Sequence, residues 1–151
     1  MRRIIPLLII IFLASCAATS GPSDRSPTIG DKNSPSNIVI KFVNSIIAND
    51  FESAFKYIHA PITDKQGYVA RMENLVKDSN NRIINYNLLA TRIIGDVTYV
   101  VVELELELNT GSSEKSLRFT KNQYVLNLID SKWKIVSDQC IENCIEIEKV
   151  N

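Results

Sequence analysis

Residues 98–108 alternate almost without a break. Val100, Val102, Leu104, Leu106 and Leu108 fall on one side, and Glu103, Glu105 and Glu107 fall on the other. A period of two over that length marks a strand with one face buried and one face in water. The chain must therefore build an antiparallel sheet and find something apolar to cover its inner face.

The cover comes from upstream, where the period is three to four. Ser34-Pro35 reads as an N-cap followed by proline at the first helical position. Ile38, Val39, Phe42, Val43, Ile46 and Ile47 then form an apolar stripe running to about Ala48. Asn49-Asp50 ends that helix, and Asp50 caps a second, short one carrying Phe51, Ala54, Phe55 and Ile58, with His59 at its C-terminus before Pro61. Thr63 or Asp64 caps a third helix whose buried face holds Tyr68, Met72, Leu75 and Val76.

From Arg82 the period returns to two. Residues 82–94 predict a first strand with Ile84, Tyr86, Leu88, Ala90 and Ile94 on one face, and residues 116–129 and 133–137 predict a third and fourth. Ile145 and Ile147 are candidates for a short fifth. A two-residue loop at Asp130-Ser131 would pair Leu128 with Trp133, Leu126 with Ile135 and Tyr124 with Ser137, keeping the apolar residues together. At Gly95-Asp96 a two-residue loop would pair Ala90 with Val101 and Leu88 with Glu103, mixing the faces. A three-residue loop is therefore expected, pairing Leu88 with Leu104 and Ala90 with Val102.

The N-terminus sets location rather than fold. Arg2 and Arg3 precede an apolar run from Ile4 to Leu13, and Leu13-Ala14-Ser15-Cys16 follows. The charged and apolar segments match a secretory signal. The run is roughly half the 20 or so residues a membrane span needs, and Pro6 interrupts it. The final four residues resemble the lipobox of bacterial lipoproteins. That resemblance implies a signal peptide over 1–15 and lipidation of Cys16 by diacylglycerol and an acyl chain such as palmitate, which anchors the chain to a membrane. Ala17, rather than Asp, leans towards the outer membrane, facing the periplasm. Residues 16–34 hold the lipidated Cys16 and a stretch rich in Ser, Thr, Pro and Gly. This composition reads as a flexible tether, about 20–25 Å in root-mean-square span. Residues 35–151 form the domain.

Removing Arg2 and Arg3 from the 17 basic residues leaves 15 against 17 acidic ones. With no basic stripe in the sequence, nucleic acid is not an expected partner. Cys16 is taken by lipid, so Cys140 and Cys144 remain as a disulfide candidate in an oxidising compartment. On a straight strand their Cα atoms would lie about 13 Å apart, beyond the roughly 7 Å that a bridge allows, so a bridge requires a turn between them. His59 is the single histidine, and no Cys-x-x-Cys, Gly-rich phosphate loop or His-Glu-x-x-His occurs. No cofactor or metal is expected.

The order of elements carries a resemblance. Ile40-Lys41-Phe42, Asn49-Asp50-Phe51-Glu52-Ser53-Ala54-Phe55, the Gly95-Asp96 hairpin and Trp133-Lys134-Ile135 together make the chain similar to the nuclear transport factor 2-like superfamily. Within it, the match is to small bacterial lipoproteins whose role is unassigned. The resemblance implies an α+β fold, three N-terminal helices packed on a curved sheet of four or five antiparallel strands. It also implies a cone-shaped interior, which some members use for isomerase or cyclase chemistry. Those enzymes need acidic or phenolic groups inside the cone, and here the glutamates of residues 103–107 point out and Asp138 falls opposite Ile135. No catalytic pair is named. Tyr86, Arg92, Tyr124 and Trp133 share the inferred inner face and are the ligand-binding candidates, Arg92 for an anionic ligand. The expected function is a noncatalytic, lipid-anchored envelope domain that binds a small molecule or an envelope protein. A small isomerase- or cyclase-type enzyme and a structural or assembly factor are the alternatives.

Overall fold

The computed structural model describes residues 32–61, 63–79, 81–109 and 115–145. The expected signal peptide, Cys16, most of the expected tether and Ile147 of the candidate fifth strand lie outside them. The elements run α1 (Pro35–Ile47), α2 (Phe51–Phe55), α3 (Lys65–Ser79), β1 (Arg82–Ile94), β2 (Val97–Asn109), β3 (Lys115–Ile129) and β4 (Lys132–Glu142). The strands form one antiparallel meander in the order β1-β2-β3-β4.

Local chemistry explains the helix ends. Ser34 Oγ accepts from Asn37 N at 3.3 Å with Pro35 opening α1. Asp50 Oδ1 accepts from Ser53 N at 3.0 Å to start α2, and Asp64 Oδ1 accepts from Gly67 N at 2.7 Å to start α3. α2 is shorter than its apolar spacing suggests. Beyond Phe55 the chain turns and pairs with β4, with His59 N donating to Ile135 O at 2.8 Å and Ile135 N to Tyr57 O at 2.9 Å. His59 therefore sits on a bridge against the sheet rather than at a helix C-terminus. The pairing also covers part of the β4 edge, which would otherwise be open to a foreign strand.

The core is a seam between α1 and the sheet. Val39 and Val43 of α1 meet Val100, Val102 and Leu104 of β2, Tyr124 and Leu126 of β3 and Ile135 of β4. Ser36 Oγ and Thr91 Oγ1, 2.8 Å apart, tie the start of α1 to β1. α3 packs against α2 and shares a cleft with the inner face of the sheet. On the outer face Glu107 pairs with Arg82 at 2.8 Å, and Lys121, opposite Glu103 in the register, pairs with Glu142 at 2.6 Å.

Bulges decide which residues reach that seam. The β1–β2 loop has two residues, not three, with Ile94 opposite Val97 and Gly95 at φ +58. Ala90 accordingly pairs with Val101. Register shifts between Leu88 and Ala90, and between Ile83 and Asn85, then realign the faces, so that Leu88 meets Val102 and Tyr86 meets Leu104. The extra residue that the alternation demands is thus inserted in the strand rather than in the loop. The inner row of β1 becomes Ile83, Tyr86, Leu88 and Thr91 opposite Leu106, Leu104, Val102 and Val100. Ile84, Ala90 and Ile94, expected inside, are exposed.

The β3–β4 loop is the two-residue turn expected, with Asp130 and Ser131 both at positive φ. Leu128 pairs with Trp133 and Leu126 with Ile135. A shift after Ile135 then pairs Val125 with Ser137 and Tyr124 with Asp138, instead of Tyr124 with Ser137. β4 continues to Glu142, past the predicted end at Ser137. Cys140 and Cys144 are joined, with Cα atoms 5.6 Å apart, and Asn143 at φ 54 supplies the necessary turn.

Leu126 is fully buried at the centre of the seam, so Leu126→Ala should cost about 3 kcal/mol of unfolding free energy in urea. Leu117→Ala, on a side chain 57% exposed, should stay within about 0.5 kcal/mol.

Candidate ligand-binding cleft

α3 packs on α2, and a cleft of about 420 Å³ lies between α1, α3 and the inner faces of β2, β3 and β4. Its walls are mainly apolar, with Phe42, Ile46, Met72, Leu75, Leu104 and Ile135 among them. Its polar lining includes Tyr68, Tyr124, Asn122 and Asp138, with His59 and Arg71.

The bulge after Ile135 brings Asp138 here. A one-residue slip sends the following side chains to the other face, so Asp138 shares a face with Tyr124, its register partner. Simple alternation from Ile135 assigns it to the outside, and that expectation is corrected by the bulge.

Tyr124 is 3% exposed and meets Phe42 edge-on at 5.9 Å between ring centroids. Burial pushes its phenol pKa up, and the negative charge of Asp138 and then Tyr68 add to the rise. Tyr68 of α3 stacks at a tilt on Phe55, 5.4 Å between centroids. Its pKa is pushed up to about 12, first by burial and then by Asp138. The Tyr68 hydroxyl is buried with no hydrogen-bond partner. Both phenols stay protonated across the physiological range and can donate, while the Asp138 carboxylate can accept.

The four sequence candidates separate in space. Tyr124 alone lines the cleft. Tyr86 is half-buried on the inner face of β1 and packs on the core. Trp133 lies at the hairpin end, beside a different hollow. Arg92 is exposed opposite Tyr99 on the outer face, because the β1 bulge reverses the alternation that put it inside. The guanidinium at the cleft is that of Arg71, which nothing in the helical pattern distinguishes from a solvated face. Among the described residues no three of His, Cys, Asp and Glu converge as metal ligands.

No family model and no curated protein matches the sequence. Solved structures do resemble it in fold. A ketosteroid isomerase-like protein from Erwinia carotovora atroseptica SCRI1043 aligns with a TM-score of 0.57 at 9% identity, over 77% of this chain and 99% of its own. A domain of unknown function with a cystatin-like fold from Nostoc punctiforme PCC 73102 aligns with a TM-score of 0.57 at 13% identity, over 79% and 81%. A nuclear transport factor 2-like protein from Cytophaga hutchinsonii ATCC 33406 aligns with a TM-score of 0.52 at 19% identity, over 70% and 93%.

The raised phenol pKa of Tyr68 makes a pH prediction. Its folded value of about 12 lies above the ordinary 10, so the stability it contributes is whole below about pH 10 and is lost as pH rises towards 12. Asp138→Asn removes a charge that opposes phenolate formation. Ultraviolet titration of that variant should therefore show Tyr68 and Tyr124 ionising at lower pH than in the unaltered chain. The α+β architecture and these likenesses agree on one fold: the chain has the cystatin-like fold shared by nuclear transport factor 2-like proteins.

Proposed function

We propose that this chain is a noncatalytic, lipid-anchored bacterial envelope protein whose cleft binds a small, mainly apolar molecule carrying a carbonyl or hydroxyl group. The Tyr68 hydroxyl carries the binding half of the reading. It is buried and unpartnered in the wall of an apolar cleft, where an unmet hydrogen bond costs roughly 1–3 kcal/mol. A ligand oxygen accepting from Tyr68 removes that cost. Tyr124 can supply a second donor, and Asp138 can accept from a ligand hydroxyl. A volume of about 420 Å³ suits a small molecule, since such sites run from about 300 to 1,000 Å³.

The anchoring half rests on Arg2-Arg3, the apolar run to Leu13 and Cys16 at the end of Leu13-Ala14-Ser15-Cys16. Cleavage before Cys16 and its acylation would tie the domain to a bacterial membrane, and Ala17 favours the outer one, facing the periplasm.

A second reading has one observation in its favour. Asp138 faces the same cleft as two phenols with raised pKa values, and a carboxylate base with phenolic donors to an enolate oxygen is what isomerisation next to a carbonyl requires.

Native mass spectrometry of residues 17–151, exported without lipid in the original host, tests the binding reading. A discrete bound mass should appear, and Tyr68→Phe should weaken it by about tenfold, the loss of roughly one hydrogen bond. Unchanged binding in Tyr68→Phe would refute the assignment. Solvent deuterium entering the bound ligand beside its carbonyl, and ceasing in Asp138→Asn, would favour the enzyme instead. Separately, palmitate labelling and membrane fractionation should both be lost in Cys16→Ala.

A further inference from the structure

A second hollow lies at the hairpin end of the sheet. It measures about 580 Å³ and is lined by Lys41, Lys56, Lys132 and Lys134 around Tyr57 and Trp133. No aspartate or glutamate lines it, and among the described residues none of these four lysines forms an ion pair. Their positions are held by neutral acceptors. Lys41 Nζ donates to Lys32 O at 2.8 Å, Lys134 Nζ donates to the Lys56 carbonyl, and Lys56 Nζ donates to Ser53 Oγ at 3.3 Å. In a chain whose formal charge is zero, this is a local segregation of positive charge.

We infer that this lysine-lined hollow docks on the anionic phospholipid headgroups of the membrane that carries the chain. Three observations choose that occupant. Phosphate groups complement four ammonium groups, none of them in an ion pair among the described residues, around a hollow that no carboxylate lines. Asn33 lines the hollow, so the tether from Cys16 enters the domain at this end, within the roughly 20–25 Å that such a segment spans. Leu128, 54% exposed, and half-buried Trp133 flank the lysines, and an apolar side chain beside an indole suits the headgroup boundary. The nearness to a membrane rests on the proposed anchoring of Cys16; the complementarity does not. Docking here also orients the other cleft. β4 runs from Lys132 to Asp138, about 20 Å at strand rise, so the Tyr68–Asp138 cleft is held away from the lipid surface.

The test is co-sedimentation of residues 17–151, lacking any acyl chain, with vesicles of phosphatidylethanolamine containing about one third phosphatidylglycerol, and with vesicles of phosphatidylcholine. Binding should favour the anionic vesicles and weaken as salt rises. Each basic residue near such a surface contributes about fivefold, so the double variant Lys56→Glu/Lys132→Glu should bind at least tenfold more weakly. Lys77→Glu/Arg92→Glu changes net charge equally at exposed positions elsewhere and should bind as the unaltered chain does. Equal losses in both double variants, or equal binding to both vesicle types, would overturn the proposal. So would complete displacement by millimolar inorganic phosphate at constant ionic strength, which would make the hollow a free-anion site. Because the tested chain carries no lipid, failure here leaves the Cys16 reading standing. Failure of palmitate labelling, in turn, leaves the vesicle result standing.

Discussion

The seam between α1 and the concave face of the sheet is the contact on which the other features depend. Val39 and Val43 are wholly buried against Val100, Val102, Leu126 and Ile135, so the helix and the three strands can gain their burial energy only together. Ser34 and Pro35 start the helix at the right residue, and the Ser36–Thr91 contact sets its position along β1. With α1 so placed, it covers one half of the inner face. The other half is left for α2, the Ile58–Ile135 bridge and α3, and these close over it incompletely.

That incomplete closure is where chemistry becomes available. A strand without the shift after Ile135 would turn Asp138 to the outer face and leave the cleft without a carboxylate. The bulge instead sets a carboxylate on the same face as Tyr124 and within electrostatic reach of Tyr68. The bulge at Leu88–Ala90 has the opposite consequence for Arg92, which it turns outward. Both irregularities preserve the apolar seam and change which polar side chains accompany it. They are the devices by which a common fold acquires its own site.

The two hollows also lie in different parts of the molecule. The hairpin end carries lysines, Trp133 and Asn33, while the cleft with Tyr68 and Asp138 occupies the other half of β4. Under the proposed arrangement one end meets lipid and the other meets a ligand. The disulfide between Cys140 and Cys144 closes the end of β4 beyond the cleft. It constrains the strand that carries Asp138 without contributing a group to the cleft.

Much of the architecture was legible in the residues themselves. The alternation of 98–108, the apolar stripe of 38–47, the capping residues and the Asp130-Ser131 turn determined the elements, their order and the meander, because these depend on periodicity and local hydrogen bonding. The expectation of a signal peptide and a lipidated Cys16 likewise rests on a short linear pattern. What only the tertiary structure decided was which way individual strand residues face. Strand period is two, so one bulge reverses every side chain beyond it, and nothing local in Leu89 or Val136 announces a bulge. Hence Asp138 and Arg92 exchanged sides relative to their expected positions. The shortening of α2 was also a tertiary choice, since backbone pairing with Ile135 offered residues 57–59 an alternative to another helical turn. The lysine hollow assembles Lys41, Lys56, Lys132 and Lys134 from three separate segments, and no stretch of sequence shows four charges that meet only after folding.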